Sequence, residues 1–224
     1  MIEWHRVSTV LLDMDGTLLD LHYDTYFWLT HLPNRYAEIR GLPHEKARDE
    51  IHRTIQGLKG SLDWYCLDFW SNKLDMDVGA LKSEVQDRIG FRADAQHFLR
   101  ELKDSHCRVV IVTNAHRTGL DLKIQRTRLD QWVDGIHTTH SFGRPKEDPA
   151  FWPELQAHEP FEPEHSLLID DNHSALRAAE AFGIGHLLSV RTPDSQQPPI
   201  DEADWPAVTH FDELLPIRAP EPLY

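Results

Sequence analysis

Residues 7–17 read VSTVLLDMDGT. The first seven of them (VSTVLLD) are a short β-branched and leucine-rich run that ends in an acid, the pattern of a buried strand. Two more runs share that character, 108–113 (RVVIVT) and 166–170 (SLLID), and a weaker one lies at 186–190 (HLLSV). Helical patterns separate them, among them 94–103 and 174–182, the latter stopping at Gly183, which suits a helix C-cap. Strands alternating with helices predict an α/β fold with a mostly parallel sheet covered on both faces. Ligands of such sheets bind at the carboxyl ends of the strands. The polar residues fall at those ends: Asp13 and Asp15, then Thr113 and Asn114, then Asp170 and Asp171. Three strands therefore converge chemistry on one edge.

Residues 21–90 read differently. They hold no convincing strand and are mostly helical, with breaks near residues 41–43 and 57–60. Leu58, Leu62, Tyr65 and Phe69 recur at i, i+4, i+7 and i+11, which predicts one face of a helix. This segment is expected to be a helical insertion after the first strand, placed like a lid and hinged near residues 20–24 and 90–94. Residues 192–206, rich in proline and acids, are expected to form an exposed loop, and 207–215 an edge strand with a terminal helical turn.

Composition narrows the function. The chain has 224 residues, with 23 Lys and Arg against 37 Asp and Glu, a formal charge of −14. Binding to nucleic acid or to an anionic membrane relies on clustered Lys and Arg, so neither is expected. An anionic ligand would need a local reversal of that field. Cys66 and Cys107 lie far apart with no CxxC spacing, which argues against a disulfide framework or a structural zinc site and suits a reducing compartment. No apolar run reaches the ~18 residues of a membrane span, and the N-terminal run ends in acids, unlike a signal peptide. A cytoplasmic protein is expected.

Asp13-Met14-Asp15-Gly16-Thr17 carries the central chemistry. An aspartate held at a strand end can attack phosphorus and form a phosphoaspartyl intermediate. Its charge opposes a phosphate dianion, so a divalent cation is needed, and Mg2+ takes hard carboxylate and carbonyl oxygens. Asp15 can protonate the leaving oxygen and later deprotonate water. Gly16 lets the chain leave the strand sharply. Thr113 and Asn114 can hold phosphoryl oxygens, although Thr-Asn after a strand is also ordinary turn chemistry. Lys146 can offset charge between carboxylates and phosphate, although a single loop lysine is commonly just solvated. Asp170 and Asp171 concentrate negative charge that a cation must compensate. With Asp13 and the Asp15 carbonyl they form an oxygen-rich set for Mg2+. Metal and lysine together would make the pocket locally positive.

Other motifs fail. Gly183-Ile184-Gly185 lacks the third glycine of a dinucleotide fingerprint, and His44-Glu45 meets Arg48 where a zinc protease needs histidine. There is neither GxSxG nor a phosphate loop ending in GK[ST]. His137 and His140 offer only a weak metal pair by spacing, and His116 and His173, each just past a motif, can reach the pocket.

In order and spacing these signals resemble the haloacid dehalogenase superfamily of phosphotransferases. The resemblance covers nearly the whole chain and implies a Rossmann-like core, residues 1–20 and 91–224, with a helical cap, residues 21–90. It implies that Asp13 is the nucleophile, Asp15 the general acid/base, and Thr113 and Lys146 phosphate-binding residues. It also implies that Asp171 touches Mg2+ directly while Asp170 acts through water or weakly. The usual Lys-Pro-x-Pro reads Lys146-Glu147-Asp148-Pro149, which keeps the lysine but only the later proline. Within that superfamily, an acid at the position of Asp15 implies phosphate transfer rather than carbon–halogen cleavage.

A sharper resemblance, to the bacterial GMP/IMP 5′-nucleotidases, rests on TVLLDMDGTLLDLHYDTYFW, LDWYCLDFW, TNAH, THSFGRPKEDPAFW and LLIDDN together. It implies a Mg2+-dependent phosphomonoesterase acting on purine nucleoside 5′-monophosphates; a monomer or small homo-oligomer is expected, and the charge balance argues against a nucleic-acid or membrane partner. Trp28, Trp64, Tyr65, Phe69 and Trp70 can offer a purine-stacking face, or simply pack the cap helices. Two rivals stay open: a relative acting on a sugar phosphate or phosphoglycolate, and a non-catalytic metal-binding or interaction module.

Overall fold

The computed structural model describes residues 2–201 and 204–217. Its sheet has six strands: β1 (Thr9–Leu12), β2 (Arg108–Thr113), β3 (Gly135–Thr138), β4 (Ser166–Ile169), β5 (His186–Val190) and β6 (Ala207–Val208). They lie in the order β3-β2-β1-β4-β5-β6, and every pair is parallel. All four β1 residues are buried because the sheet is covered on both faces, which is why the sequence shows an unbroken apolar run rather than alternation. β3 has no such run. Its Gly-Ile-His-Thr is half-buried at the sheet edge, so apolar periodicity gave no signal for it. The chain builds β1, β2 and β3 outward on one side and β4, β5 and β6 on the other. The crevice at the carboxyl ends of β1 and β4 is the switch point where such sheets bind ligands.

Between β1 and β2 the chain forms α1 (His22–Tyr26), α2 (Leu32–Arg40), α3 (His44–Leu58), α4 (Leu62–Tyr65), α5 (Leu67–Leu74) and α6 (Val78–Ser83), with a π-helical turn at Phe27–His31. Gly41, at φ +63°, ends α2 in the left-handed conformation that glycine adopts without strain. The predicted single stripe of Leu58, Leu62, Tyr65 and Phe69 is in fact split over α3, α4 and α5. Gly60, at φ +82°, and the extended Cys66 break the helix twice, so these residues do not share one face. The helical segment leaves and re-enters the sheet region at neighbouring points, since Asp20 N–H donates to the Gly90 carbonyl and Arg92 N–H to that of Leu18 (both 3.0 Å).

After it come α7 (Ala95–Lys103), α8 (Arg117–Thr127), α9 (Phe151–His158) and α10 (His173–Phe182). Phe98, Leu99 and Leu102 of α7 pack with Val10 and Leu12 on one sheet face, continuous with the apolar interior of the helical segment through Trp70 and Leu67. Phe151 and Trp152 of α9 and Leu176 of α10 pack with Leu11, Val110 and Leu168 on the other. Each such buried side chain stabilises the fold by about 1.5–3 kcal/mol. Gly183 ends α10 at φ +106°. The loop expected to be exposed is not so throughout: Pro193 and Asp194 are buried, and Leu21 N–H donates to the Pro193 carbonyl.

Candidate active site

Asp13 and Asp170 lie side by side because the β1–β4 register continues one residue past each strand: Leu12 is opposite Ile169, and Asp13 N–H donates to the Ile169 carbonyl. Both carboxylates are buried, and one cation serves both. Lys146 Nζ donates to Asp13 Oδ1 at 2.5 Å and to Asp170 Oδ2 at 2.7 Å. The lysine is itself 1% exposed. Burial works against its charge, yet the two carboxylates outweigh it and raise the ammonium above the ordinary lysine range. The single loop lysine is therefore not a solvated one.

The remaining oxygens are unevenly used. Asp170 Oδ1 accepts from Asn172 N–H, which occupies both of that residue's oxygens. Asp13 Oδ2 is buried with no hydrogen-bond partner among the described residues. One carboxylate oxygen from each of Asp13, Asp170 and Asp171 falls within 4.8 Å of the others. Burial, then Asp13 and Asp170, push the Asp171 carboxyl well above its usual range. Burial likewise lifts Asp13 to about 6, with Lys146 opposing. Crowded acids with an orphaned oxygen are the donor set of a hard divalent cation, and Mg2+ fits it. Gly16 makes room for this set. At φ +90°, a Cβ there would stand 2.4 Å from Asp171 Oδ2.

Asp15 sits in a second charged cluster. Lys123 Nζ, from α8, donates to Asp15 Oδ1 at 2.6 Å and to Asp24 Oδ2 at 2.7 Å. Lys82 Nζ, from α6, donates to Asp24 Oδ1 at 2.5 Å. Burial pushes Asp24 up, but Lys123 and Lys82 outweigh it and hold the carboxyl below the carboxylate range. For Asp15 burial wins over Lys123 and the value rises to about 6, so near neutrality this carboxyl can both give and take a proton. Composition and spacing gave no sign of Lys123, Asp24 or Lys82. Asp24 and Lys82 are single charges on short helices and Lys123 is one of four on α8, and only the packing of α1 and α6 against α8 brings them to Asp15.

Thr113 and Asn114 end β2 beside the same cavity. The Thr113 hydroxyl accepts from Ala115 N–H, leaving its own hydrogen to donate. Asn114 is engaged elsewhere: its Oδ1 accepts from Lys146 N–H, and its Nδ2 donates to Glu147 Oε2. Glu147 occupies the first proline position of the Lys-Pro-x-Pro pattern. It accepts from Asn172 Nδ2 at 2.8 Å and from Tyr65 Oη of α4 at 2.6 Å. Tyr65 is therefore no mere packing residue, and through Glu147 it joins the helical segment to Asn114 and Asn172, just past β2 and β4.

These groups line a cavity of about 550 Å³, with Asp13, Asp15, Lys146, Asp170 and Asp171 on its floor. Trp28, Lys59, Trp64 and Tyr65 of the helical segment form its opposite wall. Trp70 is fully buried against Trp28, with ring centroids 5.0 Å apart, and Phe69 packs edge-on to Trp70. Among the five aromatic residues picked out in the sequence, Trp28, Trp64 and Tyr65 reach the cavity. His116 lines it also, whereas His173 Nε2 contacts the Ser189 hydroxyl.

A family model for haloacid dehalogenase-like hydrolases matches residues 10–188. The chain is 38% identical over 215 residues to the GMP/IMP nucleotidase YrfG of Escherichia coli, covering 96% of this chain and 97% of that protein. Among solved structures, a HAD phosphatase from Thermococcus onnurineus superposes with a TM-score of 0.76 at 22% identity, covering 93% of this chain and 96% of that one. The HAD-hydrolase YfnB of Bacillus subtilis, solved with bound magnesium, gives 0.65 at 21% identity over 93% and 97%.

Proposed function

As this chain belongs to the haloacid dehalogenase-like hydrolases, we propose that it is a Mg2+-dependent phosphomonoesterase that hydrolyses purine nucleoside 5′-monophosphates, IMP and GMP foremost. The observation that carries the reading is the buried Lys146 ammonium bridging Asp13 and Asp170, beside an unpartnered Asp13 oxygen and Asp171, on the floor of a 550 Å³ cavity. Asp13, Asp171 and the Asp15 carbonyl would hold the ion, with Asp170 behind them. Bound there, Mg2+ supplies the positive charge that lets a phosphate dianion approach carboxylates.

Asp13 attacks phosphorus. A bond forms between its carboxylate oxygen and phosphorus while the bond to the nucleoside 5′-oxygen breaks, and Asp15 gives that oxygen its proton. Asp15 then takes a proton from water as the water attacks the phosphoaspartate, freeing phosphate and restoring Asp13. Lys146 and the Thr113 hydroxyl neutralise charge on the transferring group. Residues 21–90 act as a cap that excludes bulk water. Trp28 and Trp64 offer the base an aromatic wall, which favours a nucleotide over a sugar phosphate.

The test is phosphate release, with and without Mg2+, from IMP, GMP, AMP, CMP, sugar phosphates and phosphoglycolate. A Mg2+-dependent lead for IMP and GMP is expected. A lead for a sugar phosphate would keep the chemistry and overturn the substrate. Asp13→Asn should abolish turnover with the circular dichroism spectrum unchanged, and full activity in that variant would remove the nucleophile.

A further inference from the structure

Cys66, His116 and His140 are 50 and 24 residues apart in the chain, a spacing that matches no metal motif. Folding brings them together, with one donor atom from each within 4.8 Å of the others. Cys66 sits in the helical segment at the start of α5, whereas His116 and His140 lie on the core, in the loops that follow β2 and β3. The two imidazole rings meet edge to face at 4.9 Å. His116 Nδ1 and His140 Nε2 are buried with no hydrogen-bond partner among the described residues. A buried imidazole nitrogen without a partner is costly unless something binds it.

We propose that Cys66, His116 and His140 form a binding site for a borderline-soft divalent metal, Zn2+ above all, which clamps the helical segment to the core over the cavity. The donor set decides the metal class. A thiolate with two imidazoles suits zinc and is shunned by Mg2+, which takes hard oxygens. Tetrahedral zinc sets such donors roughly 3.3–3.6 Å apart, so side-chain rotations of about 1 Å complete the geometry. On binding, the Cys66 thiol gives its proton to solvent and its sulfur bonds the metal.

The surroundings support the ligands. Phe69 N–H donates to Cys66 Sγ at 3.4 Å, a bond that a thiolate strengthens. Asp68 Oδ2 lies 3.6 Å from His116 Nε2, behind the ring as seen from its unpartnered nitrogen, in the manner of a carboxylate that orients a metal-bound histidine. His116 also lines the cavity, so the metal would stand on its wall with its fourth position open to water. Joined through one ion, the loops after β2 and β3 and the start of α5 could no longer separate. The clamp's effect on turnover rests on the cap reading above, whereas metal binding itself does not.

The experiment adds one equivalent of Co2+ to the whole protein in excess Mg2+, which occupies the carboxylates. A thiolate-to-cobalt charge-transfer band in the near ultraviolet is expected, with tetrahedral d–d absorption, both displaced by Zn2+. The charge-transfer band should vanish in Cys66→Ser and persist in Asp171→Asn. In His140→Gln, which removes one of the three donors, Co2+ binding should be lost or greatly weakened. Absence of the band from the wild type, or its persistence in Cys66→Ser, overturns the site. In the same excess of Mg2+, Zn2+ should inhibit the wild type and spare Cys66→Ser. Equal inhibition of both would overturn the clamp while leaving the cobalt result and the phosphatase reading to stand separately.

Discussion

Lys123→Met tests the buried charge network that links Asp15 to the helical segment. The ammonium is almost fully buried and lies 2.6 Å from Asp15 and 2.7 Å from Asp24. At an effective dielectric of ~20 each contact is worth roughly 6 kcal/mol before desolvation is subtracted. Removing one member of such a buried pair typically costs about 3–5 kcal/mol. Lys82 still serves Asp24, so the loss should fall near the lower end and concentrate on Asp15. For a chain of this length about 3 kcal/mol lowers Tm by roughly 6–12 °C.

The pH dependence gives the sharper check. In the wild type Asp24 is held below its unfolded value of 3.8, so it stabilises the fold above that pH and loses the effect only as acid protonates it. Asp15, at about 6, is shifted the other way, and losing Lys123 raises it further. Its folded form then binds more protons than the unfolded chain, so the variant's deficit is largest at pH 7.5 and shrinks as pH falls to 5. Thermal unfolding at both pH values measures this. A Tm within 2 °C of the wild type at pH 7.5, or an equal drop at pH 5, refutes the reasoning. A double-mutant cycle with Asp24→Asn should give a coupling of about 1 kcal/mol or more.

Gly16→Ala forces a left-handed backbone and drives a methyl group into Asp171, so the Mg2+ concentration for half-maximal turnover should rise about 10-fold or more, with Tm reduced by several degrees. Unchanged Mg2+ dependence would detach Asp171 from the ion. Tyr65→Phe removes the hydroxyl that donates to Glu147, and Asn172 still serves that carboxylate, so kcat/KM should fall about 5–10-fold, mostly through KM. A change in kcat alone would point to a role in the chemistry instead. Chelating Mg2+ should abolish phosphate release, because Lys146 alone does not offset the charge of Asp13 and Asp171 against a phosphate dianion. Activity that survives chelation would remove the ion from the reaction.

What could be read in advance followed from local chemistry. Apolar runs long enough to be buried on both faces announced β1, β2, β4 and β5, and acids placed just past them marked the edge where chemistry gathers. Those signals survive in one dimension because a strand is contiguous and its end is fixed by a change from apolar to polar residues. Gly183 stopped α10 for an equally local reason. β3 escaped notice because an edge strand of Gly-Ile-His-Thr buries too little to leave an apolar pattern. The stripe through Leu58, Leu62, Tyr65 and Phe69 misled because periodicity assumes an unbroken helix, and Gly60 and Cys66 break it.

The partnerships among side chains were decided by tertiary structure alone. Taken by itself Lys146 reads as an ordinary loop lysine, and although the family resemblance marked it as phosphate-binding, only the folded loop shows its ammonium between Asp13 and Asp170. Lys123, Asp24 and Lys82 come from three helices, and Cys66, His116 and His140 from three loops or helix ends. Their meeting depends on how the helical segment seats on the sheet, a matter of packing distances that no spacing in the chain encodes. Sequence determined which groups stand at the strand ends, because strand formation is local. Only the folded chain decided which charge each group faces, because burial and proximity set its protonation and hence what it can do.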